Sequence, residues 1–183
     1  MRRRRGRMVS LEGLLKDGHW GMLRPGISRQ ALVRRLGVPG RWQQSMAELR
    51  AHQAGTPVAG WALSEILFYG GMEFHFPEGP RGGCIRIFTD DIDALGAGPV
   101  LRVDRWGLAE GMAESVVSEH LAAAGLLAVR RPFPPAPRQV RLVLPSGARL
   151  GLTDDPGFFE PGSGGDGGHR LFCVEVPQLS SGG

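Results

Sequence analysis

The run Met72-Glu73-Phe74-His75-Phe76 alternates apolar and ionisable side chains. As a strand it places Met72, Phe74 and Phe76 on one face and Glu73 and His75 on the other. Arg86 and Phe88 alternate with Ile85 and Ile87 in the next β-prone run, so Glu73, His75 and Arg86 should meet on one open face. A histidine beside a carboxylate could serve acid/base chemistry or begin a metal site. The plainer alternative is a solvated face with a cross-strand ion pair. No second ligand stands at motif spacing, which favours the plainer one.

Asp90, Asp91 and Asp93 form an acidic cluster, echoed by Asp154 and Asp155. The cluster lacks the ligand ladder of a calcium loop, and aspartate favours turns and helix starts. Cys84 and Cys173 match neither zinc nor CxxC spacing and read as packing residues. The glycine-rich stretch 162–168 has no Lys-Ser/Thr ending and is not a phosphate loop. No serine has the flanks of a nucleophile elbow. The sequence thus offers no catalytic residue, metal ligand set or cofactor motif. An acid/base or metal-assisted enzyme built on Glu73, His75 and Asp90/Asp91 stays open as the alternative.

Composition narrows the partners. The 183 residues are 42% hydrophobic and 22% charged, ordinary for a folded chain. Lys16 is the single lysine among 22 basic residues, a bias of GC-rich coding such as many actinobacteria have. The net charge of +4 suggests nucleic acid, but five arginines lie within residues 1–7. Without that tip the charge is −1, counting 17 basic and 18 acidic residues, which weighs against phosphate binding. Glu12, Lys16, Asp17 and His19 interrupt any signal-peptide core, and no apolar run is long enough to span a membrane. These readings point to a cytoplasmic protein with reduced cysteines.

The elements that must position the open face come from a repeat. Residues 20–36 (WGMLRPGISRQALVRRL) resemble residues 106–121 (WGLAEGMAESVVSEHL). With one gap before the inner glycine, Trp20 meets Trp106, Met22 meets Leu108, Gly26 meets Gly111, and Leu36 meets Leu121. After each glycine the apolar positions fall on one face of a short helix. Three β-prone runs follow each helix: residues 65–69, 72–76 and 84–89, then 139–144, 148–153 and 170–176. Outside this pattern lie a polar helix over 43–54, an extended proline-rich link over 131–138 and a loop over 156–169. Residues 100–103 read as a strand leading into the second Trp-Gly.

The pattern Gly26-Ile27-Ser28, Leu32, Leu36-Gly37-Val38-Pro39 resembles one in small helix-then-sheet proteins. The β-lactamase inhibitory proteins are tandem copies of such a unit. The string from Tyr69 to Phe76 is similar to a YG-x-x-E-F-x-F strand of small actinobacterial proteins. The resemblance implies a fold and a mode of action, in which a sheet surface is presented to a protein.

The expectation is therefore an α+β protein of two pseudo-repeats, each with short helices packed on one face of an antiparallel β-meander. Residues 1–18 should be a basic, disordered lead-in, 19–98 and 99–177 the repeats, and 178–183 a disordered tail. The expected function is a non-enzymatic protein-binding module, immunity-like or regulatory, with a structural scaffold as a further alternative. Trp42, Trp61, Glu73, His75, Arg86, Phe88, Arg141 and Arg149 are the candidate contacts with another protein; nucleic acid and membrane are not expected partners.

Overall fold

The computed structural model describes residues 7–77, 81–96, 101–159 and 168–178. The chain opens with β1 (Arg7–Ser10) and α1 (Leu11–Asp17). Ser10 caps α1 by accepting from the Glu12 amide, and Leu11, Leu14 and Leu15 are fully buried. This corrects the reading of residues 1–18 as a disordered lead-in: from Arg7 onward the segment is structured, and its leucines are part of the core. The arginine run drew attention away from Leu11, Leu14 and Leu15, whose i, i+3, i+4 spacing is that of an apolar helix stripe. Residues 1–6 and 179–183 lie outside the described residues.

Next come α2 (Arg29–Leu36), β2 (Arg41–Gln43) and α3 (Met46–Gln53). Ser28 caps α2 and Ser45 caps α3 through the Glu48 amide, with the Ser-x-x-Glu spacing of a helix start. A 3-10 turn at Gly60–Ala62 leads into β3 (Ile66–Tyr69), β4 (Met72–His75) and β5 (Arg86–Thr89). Then follow β6 (Leu101–Asp104), α4 (Glu114–Ala123), β7 (Val129–Pro132), β8 (Gln139–Val143), β9 (Arg149–Thr153) and β10 (Arg170–Pro177). The protein is α+β, with four helices among the described residues.

Among the described residues, eight strands form one antiparallel sheet in the order β2-β3-β4-β5-β10-β9-β8-β7. The two meanders meet at their last strands, β5 and β10. β1 and β6 pair with each other in parallel, outside this sheet. The proline-rich link starts as an edge strand, β7, with Pro132 as its last residue.

One face of the sheet carries the core. Leu67, Phe74, Ile87 and Val176 form a register row on it, and Leu142, Leu150 and Val174 another. Leu32 and Leu36 of α2, and Val117 and Leu121 of α4, are buried in the same cluster. Both meanders thus share one core, on the helix side. That leaves the opposite face to the alternating polar and aromatic residues.

Candidate functional site

The register brings one unbroken row of side chains across all eight strands on the face away from the core. At its centre Glu175 pairs with Phe88. To one side follow Arg149, Val143 and Val129. To the other follow Glu73, Phe68 and Arg41. His75 and Arg86 pair in the neighbouring row, as do Arg131 and Arg141 beyond the other flank. Paired residues project to the same side, so strands from both halves build a single surface.

Glu175 organises this surface. It is 8% exposed, yet three guanidinium groups surround it: Arg141 at 3.4 Å, Arg149 at 3.5 Å and Arg86 at 3.8 Å. Each contact is longer than the roughly 2.7–2.9 Å of a good charge-assisted hydrogen bond. Arg86 comes from the first meander and Arg141 and Arg149 from the second. Its reach continues to His75, whose Nδ1 lies 3.1 Å from Arg86 Nη2, while His75 Nε2 lies 2.7 Å from Glu73 Oε2. Arg86 can only donate, so His75 accepts at Nδ1 and donates from Nε2 to the Glu73 carboxylate.

Burial lowers the His75 pKa to about 4, and the Arg86 charge adds to the effect. His75 is therefore neutral at pH 7, and its contact with Glu73 is a hydrogen bond more than an ion pair. Burial first, and repulsion from Asp90 second, raise the Glu73 pKa. Cys173 also faces this side, against Gly151. Burial pushes its thiol up to about 12, so no thiolate nucleophile forms there at neutral pH. A side chain at Gly151 would collide with Cys173 Sγ and the Phe172 ring, so the strand needs glycine for this close approach.

Aromatic rings hold several guanidiniums in place. Arg41 lies 4.2 Å over Phe68, Arg86 4.8 Å over Phe88 and Arg141 3.8 Å over Phe133. Such stacking fixes the planar group while leaving edge N–H donors available.

Six of the eight residues expected to make partner contacts share this face: Glu73, His75, Arg86, Phe88, Arg141 and Arg149. Trp42 and Trp61 do not. Trp42 pairs with the fully buried Leu67, which puts it on the helix side at the sheet edge, and Trp61 packs against the core. Both stand out in sequence as aromatic residues flanking the polar helix expected over 43–54, whereas Trp42 belongs to a strand. Glu175 was missed, although Val174 and Val176 on the core face imply Cys173 and Glu175 on the other.

The acidic cluster does not join the site. Asp91 Oδ1 accepts from the Ala94 amide at 2.9 Å, and Asp155 Oδ1 from the Gly157 amide at 3.0 Å, each capping a turn. Asp93 pairs with Arg105 at 2.6 Å and Asp154 with Arg138 at 2.9 Å. Asp90 is exposed and reaches Glu73 only through its charge. Among the described residues no three His, Cys, Asp or Glu side chains converge as a metal site. Among the described residues, one surface cavity of about 460 Å3 is lined by Met8, Asp104 and Leu108 among others, and one of about 410 Å3 by Met22, Ile27 and Arg35 among others; His75 lines neither. Among the described residues no helix is long and apolar enough to cross a membrane.

No protein-family model, curated protein or solved structure matches the chain.

Proposed function

We propose that this chain is a non-enzymatic protein-binding module, immunity-like or regulatory, which masks a partner protein with the open face of its sheet. The observation that carries the reading is the convergence of Arg86, Arg141 and Arg149, drawn from both meanders and each partly exposed, on Glu175 in the sheet face away from the core. Arginines held over aromatic rings are the residue type that dominates interface energies. An enzyme using His75 finds less support, because the His75 ring is hydrogen-bonded to both Glu73 and Arg86 and, among the described residues, joins no cluster of three metal-ligating side chains.

The same proposal includes an internal duplication, and backbone contacts support it. The Gly26 amide donates to Cys84 O and the Cys84 amide to Ile27 O; likewise the Gly111 amide donates to Leu171 O and the Leu171 amide to Met112 O. Gly26 and Gly111 both have positive φ, 91° and 78°, and stand two residues before a helix N-cap. The strand order supports it too, since β2-β3-β4-β5 and β7-β8-β9-β10 run inward from opposite edges. If Phe88 is the counterpart of Glu175, then Ile87 corresponds to Val174 and Thr89 to Val176. The pairs Ile87–Val176 and Thr89–Val174 then exchange, as under a two-fold axis through Phe88–Glu175. Burial moves the alignment gap by one residue, because Leu23 is buried like Leu108 while Met22 is exposed. The unit boundaries near residues 98–99, the resemblance to the β-lactamase inhibitory proteins and a cytoplasmic setting stand with this proposal; unpaired Cys84 and Cys173 favour the last.

The test is paired affinity capture from the native organism with wild type, Arg86→Ala and Phe88→Ala, each checked for folding by circular dichroism. A partner retained by wild type and lost by both folded variants is the expected result. A partner held equally by all three would refute the face as the docking surface.

A further inference from the structure

We infer that the occupant of this face is an acidic segment of the partner protein, whose carboxylates enter between Arg86, Arg141 and Arg149. The inference rests on the docking-face reading and adds the chemistry of the partner.

Charge is the first argument. Three guanidiniums share one buried carboxylate, and although Glu73 also acts on Arg86 and Arg41 and the exposed Asp90 acts on Glu73 and His75, Arg41, Arg86, Arg131, Arg141 and Arg149 outnumber Glu73, Asp90 and Glu175 on this face among the described residues. Arg131 stands beside Arg141 in register and Arg41 ends the central row, while Glu73 is the other acid on the two rows and His75 is neutral. Partly buried excess charge is costly until an opposite charge docks. A second carboxylate could take shorter, paired N–H contacts from groups that stand 3.4–3.8 Å from Glu175. Stacking on Phe88 and Phe133 has already fixed two of the three guanidiniums, which reduces the entropy lost on binding.

The second argument separates acidic protein from nucleic acid. Single strands bind sheets through bases stacked on free aromatic faces. Here arginine covers Phe68, Phe88 and Phe133. Outside residues 1–7 the chain has a net charge of −1, which gives no long-range pull on a phosphate backbone. Carboxylates held at short range match the surface better than phosphates gathered at long range.

The test is titration of the full 15N-labelled chain with a ten-residue oligoglutamate peptide, with oligolysine and oligothymidine as parallel arms. Oligoglutamate should shift amide resonances of β5, β9 and β10 and bind more weakly as salt rises. Arg149→Ala should weaken it about tenfold or more, with Arg34→Ala on α2 unchanged. If Arg149→Ala fails to fold, Arg131→Ala replaces it, since that guanidinium has no ion pair among the described residues to lose. No shift at millimolar oligoglutamate, or equal binding by the folded arginine variant, would overturn the inference. Tighter binding of oligothymidine to the same strands would overturn it in favour of nucleic acid. A partner captured through Arg86 and Phe88, together with silent oligoglutamate, would retire the acidic chemistry alone. Capture indifferent to those residues would retire the docking face itself.

Discussion

Replacing Glu175 by glutamine keeps the shape of the side chain and removes the charge at the centre of the arginine cluster. At an effective dielectric of about 20, a unit pair near 4 Å is worth about 4 kcal/mol before solvation is counted. Three such contacts, at 3.4, 3.5 and 3.8 Å, would make a large gross sum. Most of it is offset by the burial of Glu175 and by repulsion among the arginines. The guanidiniums are about one-third exposed, so solvent screens them further. The expected loss is therefore about 2–3 kcal/mol, below the roughly 3–5 of breaking a fully buried pair. It should appear in urea denaturation as a lower midpoint with an unchanged slope, and as a Tm drop of roughly 5–10 °C. Added salt should recover part of the loss by screening the arginines, and the variant should bind oligoglutamate more tightly than wild type. A neutral or stabilising Glu175→Gln at low salt would refute the reasoning, because burial of the carboxylate would then outweigh its attraction to the arginines.

Phe74 is fully buried and meets Tyr69 edge-on at 5.8 Å, so Phe74→Ala should cost about 3–5 kcal/mol in denaturant titration. His75 titrates at about 4 when folded against 6.5 for the unperturbed group. Its contribution is fully present above pH 6.5 and is lost as pH falls toward 4; wild type should therefore lose up to about 3 kcal/mol more than His75→Gln over that window, and equal pH slopes would show otherwise. Gly151→Ala should destabilise by about 1–3 kcal/mol, because its Cβ would overlap Cys173 Sγ; an unchanged Tm would mean that β9 shifts freely.

Alternation made the two faces of β4 and β5 legible in sequence, and with them Glu73, His75, Arg86 and Phe88. Arg141 and Arg149 followed from the same rule in β8 and β9. The pairing of β5 with β10 was not legible, since antiparallel alternation fixes faces but not which meander edges meet. That seam decides where Glu175 stands, so its central position could not be read. The strand that holds Trp42, and with it the face of Trp42, was not legible because three residues are too few for a strand signal against the helix that follows. The echo of Thr89-Asp90-Asp91 in Thr153-Asp154-Asp155 reflects shared chemistry at strand ends: Thr89 Oγ1 accepts from the Asp91 amide and Thr153 Oγ1 from the Asp155 amide. β5 and β9 are not counterparts in the strand order, so this echo is local and carries no ancestry.

The β5–β10 seam also sets a timetable. Every other ladder of the sheet joins strands that are consecutive in the sheet-forming sequence, so each meander can zip as it leaves the ribosome. β5 cannot: the end of its partner is translated about 90 residues later, roughly 5–20 s at ordinary elongation rates. For that interval the first meander carries a bare ladder edge beside Ile87, open to any passing strand, including β5 of a neighbouring nascent chain. Slow translation of the second half would lengthen the exposure. Yield in the cell should then depend on elongation speed between Thr89 and Arg170 more than on the final stability of the protein.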